Sequence, residues 1–487
     1  MSEVPVQTNL GQVKGTQQAA KKTRSADRPG PQRGGNGRVV ENSLARLASN
    51  ALRTRSVRGP SINWISPDVA WTRRRFLAGL AIVSVAPFSL GAEKTAVTPA
   101  SAFDKAVDEF MKERGVPGGA LAVAKNGKLV YARGYGWADR EAKSAVQPDS
   151  LFRIASVSKP ITGVAVLKLV EDRKLDLDAK VFDLLALGAQ LPEGRELDDR
   201  WKRITLRHLL HHTAGWDRDA SGDPMFKSRE ISKSLGEPPP ATPAQIIRWM
   251  LARPLDFDPG ARYAYSNFGY CLLGRVIEKV TGQAYEKFVQ QSVLAPAGVR
   301  RMRLGASLEA SRADSEVRYY TATDSKADNV FTGAKNSVPR PYGGFYLEAM
   351  DAHGGWIGSA LDLVRFATAL DDPRRNPLKK PETLRSLFEA PAAPVARESD
   401  GRLKDQWYAC GWQVRPRNAS ANHWHSGSLP GTYTLLIRRW DGIVFAAFLN
   451  QRSEDWKGGD SALDPALNRA ANSVTEWPEE DLFGKWG

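Results

Sequence analysis

The first segment with a clear pattern of apolar residues begins at Phe103 and ends before Gly115. Its apolar residues recur every three or four positions, which predicts an amphipathic helix, and Gly115 predicts the end of that helix. The apolar positions are Phe103, Val107, Phe110 and Met111. In the segment 119–139, two apolar runs flank Asn126-Gly127, a pair that accepts the positive φ of a tight turn. The pattern therefore predicts a helix followed by a β-hairpin.

Helical patterns dominate the middle of the chain, from about 156 to 340. Thr205 is a typical helix cap, Thr242 precedes a proline at a first helical position, and a third helical pattern runs to Gly282. Short β-branched or aromatic runs return near the end, followed by a helical stretch at about 461–474. The predicted strands lie within 408–416, 422–428, 432–440 and 443–451.

This order of elements favours an α+β fold in one folded domain, residues 103–480. We expect an antiparallel sheet, built from the N-terminal hairpin and the C-terminal strands and flanked by helices. The α/β part would comprise about 103–155 and 340–480, with a mostly helical lobe, about 160–340, inserted between them. A substrate cleft is expected at the seam between the two parts, where clefts commonly lie.

The net charge of +15 changes this picture only at the N-terminus. Residues 1–75 contain 14 Lys and Arg against 4 Asp and Glu, a local charge of +10, which leaves +5 for residues 76–487. The segment 1–70 is rich in Gly, Pro and Arg and has no apolar period, so we predict a disordered basic extension. The nearly neutral body has no basic-aromatic strip, and no nucleic-acid partner is predicted.

Residues 71–102 resemble a twin-arginine-type signal peptide. Arginines at 73–75 directly precede Phe76 and an apolar run that extends to about residue 92. Small residues at Ala100-Ser101-Ala102 offer a cleavage site just before the first predicted helix. We therefore expect export to the periplasm or secretion. An uncleaved signal that anchors the protein is the alternative, and it would provide the membrane contact of the chain.

Two pairs of residues raise the question of a disulfide or a metal site. Cys271 and Cys410 are too few for a disulfide framework, and the sequence leaves open whether they pair. His208 and His212 are four positions apart on one face of a predicted helix, a spacing that suits zinc. They lack a third ligand pattern and a His-Glu-x-x-His motif, so helix packing is the favoured interpretation. No metal or other cofactor is predicted.

Ser156 and Lys159 form a Ser-x-x-Lys pattern where a helix is predicted to begin, and no other serine of the chain has a lysine three positions later. This spacing places the hydroxyl and the amine one turn apart on the same helix face. Serine is a poor nucleophile without a neighbouring base. A neutral Lys159 could be that base, or a cationic Lys159 could help by lowering the pKa of a partner. Serine is also a favoured helix cap, so the pattern by itself allows both a capping and a catalytic Ser156.

Two further motifs accompany this pattern, Tyr265-Ser266-Asn267 and His425-Ser426-Gly427. In this order the three motifs resemble those of the serine β-lactamase, penicillin-binding-protein and esterase superfamily. The resemblance is to the branch that contains class C β-lactamases, related esterases and D-aminopeptidases, and it covers about 103–455. It implies a β-lactamase/transpeptidase-like fold and a serine hydrolase that needs no cofactor.

The resemblance implies a role for each residue of the first two motifs. Ser156 would be the nucleophile that forms an acyl-enzyme, and Lys159 would hydrogen-bond it and shuttle its proton. Tyr265 would act as the general base, as a phenolate favoured by the nearby ammonium group. Asn267 would hold Lys159 and the amide or carbonyl group of the substrate.

The third motif carries the main departure from the family pattern, because His425 stands where many relatives have the lysine of Lys-Thr-Gly. The resemblance implies that His425 lines the cleft and orients Tyr265 or a substrate group. It also implies an oxyanion site formed by the backbone N–H groups of Ser156 and of Ser428, the residue that follows Gly427.

The histidine bears on the substrate, which we expect to be a small molecule or a peptidoglycan-like compound. A lysine carries a permanent charge that suits a substrate carboxylate, whereas a histidine is mostly neutral at pH 7. This favours esters, amides or D-amino-acid peptides over β-lactams, unless an arginine elsewhere supplies the charge. The alternative function is a penicillin-binding or sensor-type domain that is acylated but turns over poorly.

Overall fold

The computed structural model describes residues 96–334, 336–417, 420–454 and 460–486. The predicted basic extension, 1–70, lies outside the described residues, and so do the arginines and the apolar run of the predicted signal peptide. Within the described ranges, no helix is both long and apolar enough to cross a membrane.

The first helix, α1 (Pro99–Arg114), begins four residues earlier than the apolar pattern predicts. Thr98 caps it by accepting a hydrogen bond from the Ser101 backbone N–H, and the proline at the first position suits a helix start. Gly115, with a φ of 61°, ends the helix as predicted. The predicted cleavage site at 100–102 therefore lies in the first turn of α1, and the position of cleavage stays a prediction.

Most of the other helices in the described part of the chain lie between the fourth and fifth strands. These helices are α2 (Ser158–Glu171), α3 (Val181–Leu184), α4 (Leu206–Leu210), α5 (Arg218–Ser221), α6 (Ser228–Leu235), α7 (Pro243–Leu251), α8 (Asn267–Thr281), α9 (Tyr285–Val289), α10 (Ala360–Ala369), α11 (Pro381–Ser386) and α12 (Leu463–Ser473). The strands are β1 (Gly118–Lys125), β2 (Lys128–Asp139), β3 (Ser144–Ala145), β4 (Phe152–Arg153), β5 (Arg303–Leu304), β6 (Lys326–Asp328), β7 (Ser337–Pro339), β8 (Trp356–Gly358), β9 (Trp407–Tyr408), β10 (Gln413–Arg417), β11 (Ser420–Leu429), β12 (Thr432–Arg438) and β13 (Ile443–Leu449).

The main sheet joins the two ends of the folded domain. Its strand order is β3-β2-β1-β13-β12-β11-β10-β9, and neighbouring strands are antiparallel. Strand β1 pairs with β13 from Gly119 opposite Leu449 to Lys125 opposite Ile443. The N-terminal hairpin and the C-terminal strands therefore belong to one antiparallel sheet, which confirms the predicted α+β fold.

The side chains of β1 alternate between two apolar cores, because successive residues of a strand point to opposite faces. Leu121 and Val123 join a core with Phe103 of α1 and Leu467 of α12. Ala122 belongs to the larger core on the other face, which also contains residues of α2, α8 and α10. Since both faces of the sheet are covered, β1 is apolar at nearly every position.

The helical lobe is shorter than the predicted 160–340. Its last helical turn ends at Leu294, and the chain from 295 to 355 is mostly irregular, with short strands and single turns. Pro339, Pro341 and Gly343-Gly344 explain part of this difference, because proline and glycine are poor residues for the interior of a helix. Several residues of this irregular segment line the candidate active site.

His208 and His212 do not share a helix face, because α4 ends at Leu210. His208 belongs to the start of this helix, where its Nδ1 accepts a hydrogen bond from the Thr205 backbone N–H. His212 has a φ of 56°, and its Nδ1 accepts a hydrogen bond from the Ser266 backbone N–H. The predicted common face was therefore wrong. Among the described residues, no cluster of three His, Cys, Asp or Glu side chains could hold a metal.

Cys271 and Cys410 are separate, buried free thiols. Burial raises the pKa of each thiol to about 12, so both stay protonated and unreactive near neutral pH. The Cys410 Sγ lies 3.7 Å from the Nε2 of His211 and 3.5 Å from the Ser386 carbonyl oxygen. The structure thus answers the question that the sequence left open about pairing.

Gly163 lets α2 pack closely against the segment that precedes β10. A Cβ atom at this position would lie 2.2 Å from the carbonyl oxygen of Cys410. We predict that Gly163→Ala lowers the free energy of unfolding by ~1–3 kcal/mol, because the two backbones must separate. Urea-induced unfolding measures this change.

Gly333→Ala is the matched control, because a Cβ on Gly333 meets no atom within 4 Å. We expect this variant to stay within ~0.5 kcal/mol of the wild type. Equal losses of stability in both variants would contradict the packing explanation.

Candidate active site

Ser156 lies in a tight turn that joins strand β4 to helix α2. The turn, Ala155–Val157, is a 3-10 segment, and Ala155 has a φ of 48°, which non-glycine residues rarely adopt. Strand β4 is paired with β8, so the turn starts from ordered structure. Strained backbone of this kind clusters at functional sites, and here it lies directly before the candidate nucleophile.

Ser156 does not cap α2. The capping position is Val157, and no side chain makes a capping hydrogen bond there. The neighbouring Ser158 donates its hydroxyl to the Ala155 carbonyl oxygen at 2.7 Å. The Ser156 Oγ instead lies 3.1 Å from the Nζ of Lys159. Of the two interpretations of the Ser-x-x-Lys pattern, the geometry supports the nucleophile.

Lys159 is fully buried, and its amine has two acceptors besides Ser156. The Nζ donates to the Asn267 Oδ1 and to the His353 carbonyl oxygen, each at 2.8 Å. Burial lowers the pKa of Lys159 well below its usual value, and the positive charge of Arg218 lowers it further. A neutral amine has two N–H bonds and one lone pair. When both N–H bonds of the neutral amine point at these two acceptors, its lone pair faces Ser156, as a base requires.

Tyr265 contributes its ring and hydroxyl to the same cleft. The Lys159 Nζ lies 4.8 Å from the ring centroid, and the Arg218 Cζ lies 4.5 Å from it. Burial raises the pKa of Tyr265, and a hydrogen bond with Ser156 and the charge of Arg218 offset only part of this rise. The phenol is therefore the favoured form. Burial thus works against the phenolate that the family resemblance implied, and the role of Tyr265 as general base stays a prediction.

Asn267 is the first residue of α8, and the cap of this helix fixes its position. The preceding Ser266 accepts a hydrogen bond from the Gly269 backbone N–H through its Oγ, at 3.3 Å. The Asn267 Oδ1 then accepts from Lys159, and its Nδ2 donates to the Oδ2 of Asp223 at 2.6 Å. The Tyr-x-Asn motif thus spans a helix start, with Tyr265 before the cap and Asn267 after it.

Strand β11 brings the third motif to the nucleophile turn. Its outer edge is paired with β10 only as far as Trp424, and the residues from His425 to Leu429 follow beyond that pairing. A Cβ on Gly427 would lie 2.3 Å from the Ile154 carbonyl oxygen, so only glycine allows this approach. The Thr434 hydroxyl of β12 donates to the same oxygen at 2.8 Å.

These contacts place Ser428 and Ser156 on the same cleft. This arrangement is compatible with an oxyanion site formed by the backbone N–H groups of Ser156 and Ser428. The oxyanion site itself stays a prediction.

His425 lines the cleft, where its ring lies beside both Tyr408 and Tyr265 and its hydrogen-bond partner of the two is Tyr408. Its Nδ1 donates to the Ser426 carbonyl oxygen at 2.6 Å, and its Nε2 lies 3.0 Å from the Tyr408 hydroxyl. The ring centroids of His425 and Tyr265 are 6.3 Å apart. Burial lowers the pKa of His425 to about 3, with a further contribution from Lys159. His425 is therefore a neutral ring that accepts a hydrogen bond, and it brings no charge to the cleft.

The cleft has a volume of about 1040 Å³ and unites all the motif side chains predicted from the sequence, with Lys159 buried behind them. The sequence analysis missed several residues that also line it. These are Arg218, Asp223, Phe226, Tyr263, Arg340, Phe345, His353, Trp424 and Arg452. Most of them lie in loops without a motif or an apolar period. His353 directly precedes Gly354-Gly355, inside the range 103–455 that resembles the family, and this position was the available signal.

Comparison with known protein families agrees with this geometry. The family model described as Beta-lactamase matches residues 103–467. The chain belongs to the Beta-lactamase family.

Known proteins that resemble this chain include an esterase and a penicillin-binding protein. Esterase EstB of Burkholderia gladioli is 33% identical over 322 residues, which cover 63% of this chain and 78% of that protein. A penicillin-binding protein of Bacillus subtilis is 28% identical over 390 residues, which cover 77% of this chain and 75% of that protein. These relatives indicate that the chain is a hydrolase.

A solved structure shows the same fold. The D-amino acid amidase from Ochrobactrum anthropi, complexed with L-phenylalanine amide, superimposes with a TM-score of 0.59 at 22% identity. The match covers 77% of this chain and 98% of that one. It confirms the β-lactamase/transpeptidase-like fold that the motifs implied.

The buried Lys159 predicts the pH dependence of acylation. Deprotonation makes the amine a base, so the rate rises as pH increases through the pKa of Lys159. Because burial lowers that pKa, we expect the rise well below pH 10.5, the ordinary value for lysine. Tyr265, with a raised pKa, causes no alkaline decline below about pH 10. The rate of labelling by a fluorophosphonate, measured from pH 5 to 11, tests this profile.

Lys159→Ala is expected to abolish the pH-dependent rise together with most of the labelling. Lys168→Ala is the matched control, because Lys168 lies on the same helix and pairs with Asp172 at the surface. It should reproduce the wild-type profile. A wild-type rise centred near pH 10.5 would contradict the neutral lysine.

Proposed function

We propose that this chain is an exported serine hydrolase that forms an acyl-enzyme at Ser156 and acts on esters. One observation carries the proposal: the Nζ of Lys159 lies 3.1 Å from the Ser156 Oγ, in a buried site that lowers the pKa of the amine well below its usual value. A serine needs such a base to become a nucleophile. The hydrolase relatives described above support the reaction class, and Esterase EstB supports the choice of esters.

In the proposed reaction, the Ser156 Oγ attacks the carbonyl carbon of the ester while Lys159 takes the hydroxyl proton. The tetrahedral oxyanion is stabilised by backbone N–H groups at the turn and at Ser428. When the carbon–oxygen bond breaks, the Tyr265 hydroxyl donates a proton to the leaving alkoxide, and the Lys159 ammonium restores the proton of Tyr265. Water then attacks the acyl-enzyme, with proton transfers in the opposite sense, and releases the acid.

The lining of the cleft favours esters over β-lactams as substrates. His425 is neutral, so the third motif does not provide the cation that a β-lactam carboxylate would require. An ester has no such requirement. Phe226 and Tyr263 are exposed at 44% and 39% and offer an apolar surface for an acyl group. Arg340 and Arg452 also line the cleft, and an anionic substrate is therefore the main competing choice.

A panel of substrates tests the proposal. We expect p-nitrophenyl esters to be hydrolysed with a larger kcat/KM than nitrocefin or D-alanyl amides. Ser156→Ala should lower the ester rate by about a thousand-fold or more, since it removes the nucleophile. Mass spectrometry should locate the fluorophosphonate adduct on Ser156 of the wild type. Ester hydrolysis that persists in Ser156→Ala would overturn the assignment.

The same panel of substrates distinguishes the proposed hydrolase from the alternative function. A stoichiometric burst of acylation by nitrocefin or an ester, followed by no further turnover, would support a penicillin-binding or sensor-type domain in place of the hydrolase.

Export by the predicted twin-arginine signal is part of the proposal, and the contacts of α1 suggest where cleavage occurs. The Val97 backbone N–H donates to the Thr475 Oγ1 at 2.9 Å, and Thr98 caps the helix. Cleavage after Ala102 would remove both contacts and the first helical turn. We therefore expect the mature chain to begin before Val97. The mass of the protein recovered from the periplasm or medium measures this, and an N-terminus at Phe103 would contradict it.

A further inference from the structure

Asp223 is a carboxylate in the cleft that belongs to none of the three motifs. It lies just after α5, at the start of a 3-10 turn, Pro224–Phe226. Its Oδ1 accepts a hydrogen bond from the Met225 backbone N–H at 3.1 Å, which caps this turn. Its Oδ2 accepts from the Asn267 Nδ2 at 2.6 Å. Both carboxylate oxygens are thus engaged, and one of them holds a motif residue.

The contact with Asp223 decides which way the Asn267 amide points. An ionised carboxylate only accepts hydrogen bonds, so the amide must turn its NH₂ group toward Asp223. Its oxygen then faces the Lys159 Nζ, at the observed 2.8 Å. The flipped amide would place its oxygen against the carboxylate and its NH₂ group against the amine. The first contact would be repulsive, and in the second the NH₂ group could only donate to the lone pair that Ser156 needs, so the observed orientation is the one that leaves the lone pair available.

The orientation of this amide in turn determines the direction of the Lys159 lone pair. The two N–H bonds of the neutral amine need two acceptors, and the structure provides the Asn267 Oδ1 and the His353 carbonyl oxygen. If the amide flips, one acceptor is lost and the amine can rotate away from Ser156. Proton abstraction depends strongly on such alignment.

We propose that Asp223 is a positioning residue for acylation, which acts through Asn267 to aim the Lys159 lone pair at Ser156. This inference rests on the proposed serine hydrolase function and extends it to a residue outside the motifs. Asp223 needs no contact with the substrate in this role.

The negative charge of Asp223 provides a second test of its positioning role, through the pH dependence of acylation. Several titratable or charged groups surround Lys159. They are Arg218 of α5, Asp223 just after it, Tyr265 of the second motif, Tyr270 of α8 and the buried His212, His353 and His425. The negative charge of Asp223 raises the pKa of Lys159, opposite in sign to Arg218 and to burial. Removing this charge should therefore move the acid limb of the acylation rate to lower pH.

A double-mutant cycle tests the proposal with Asp223→Ala, Asn267→Ala and the double variant. The measurement is the second-order rate constant for labelling of Ser156 by a fluorophosphonate. We expect Asp223→Ala to slow labelling by roughly 10- to 100-fold, as a misplaced catalytic group does. Because Asp223 acts through Asn267, the double variant should label no more slowly than Asn267→Ala alone.

Asp219→Asn is the matched control. Asp219 lies on α5, four residues before Asp223, with its side chain 92% exposed and 3.8 Å from Arg218. Asp219→Asn removes one negative charge close to Asp223 in the chain, from a side chain that does not hold Asn267. We expect labelling within about two-fold of the wild type, on the scale of an ordinary surface substitution.

Asp223→Asn keeps the size of the side chain and serves if Asp223→Ala is poorly folded, as judged by thermal unfolding. The new amide has one acceptor oxygen in place of two. It can therefore accept the hydrogen bond from the Met225 N–H or the one from the Asn267 Nδ2, but not both. We expect slower labelling and an acid limb at lower pH.

Wild-type rates in the Asp223 variants would overturn the positioning role, and so would a double variant whose loss is the product of the two single losses. Absence of labelling at Ser156 in the wild type would overturn the serine hydrolase function itself. The two failures are therefore distinguishable in one experiment.

Discussion

The burial of the Lys159 amine is the constraint on which the rest of the site depends. A charged ammonium group without water is costly, so burial favours the neutral base that the chemistry needs. The neutral amine still requires partners for its N–H bonds, and the fold supplies them from Asn267 and from the His353 carbonyl oxygen. Once these two acceptors are in place, Ser156 is the group that remains for the lone pair.

Three distant parts of the chain must meet for this to happen. The nucleophile turn follows β4, Asn267 begins α8 in the helical lobe, and His353 lies in the irregular segment before β8. The main sheet closes the arrangement from the other side, where Gly427 of β11 touches the carbonyl oxygen of Ile154. The strained Ala155 is stable in this setting because neighbours on both sides hold its backbone.

The shifted pKa values of three motif side chains follow from the same burial. Lys159 and His425 both have lowered pKa values, and Tyr265 has a raised one. The family resemblance implied a phenolate at Tyr265, which assumed an ammonium group beside it. The structure favours the opposite arrangement, a neutral amine beside a phenol, because desolvation outweighs the attraction between two charges in this interior.

The sequence by itself determined the α+β class, the hairpin at Asn126-Gly127 and the three motifs, since turns, caps and apolar periods are local properties. It also indicated which side chains meet at the cleft, through the order of the motifs. Only the tertiary structure decided that Asp223 holds Asn267 and that His425 contacts Tyr408. It also decided that α4 ends before His212. These contacts join residues that are far apart or lie in loops, where hydrogen-bond geometry and burial depend on the whole fold and leave no periodic pattern along the chain.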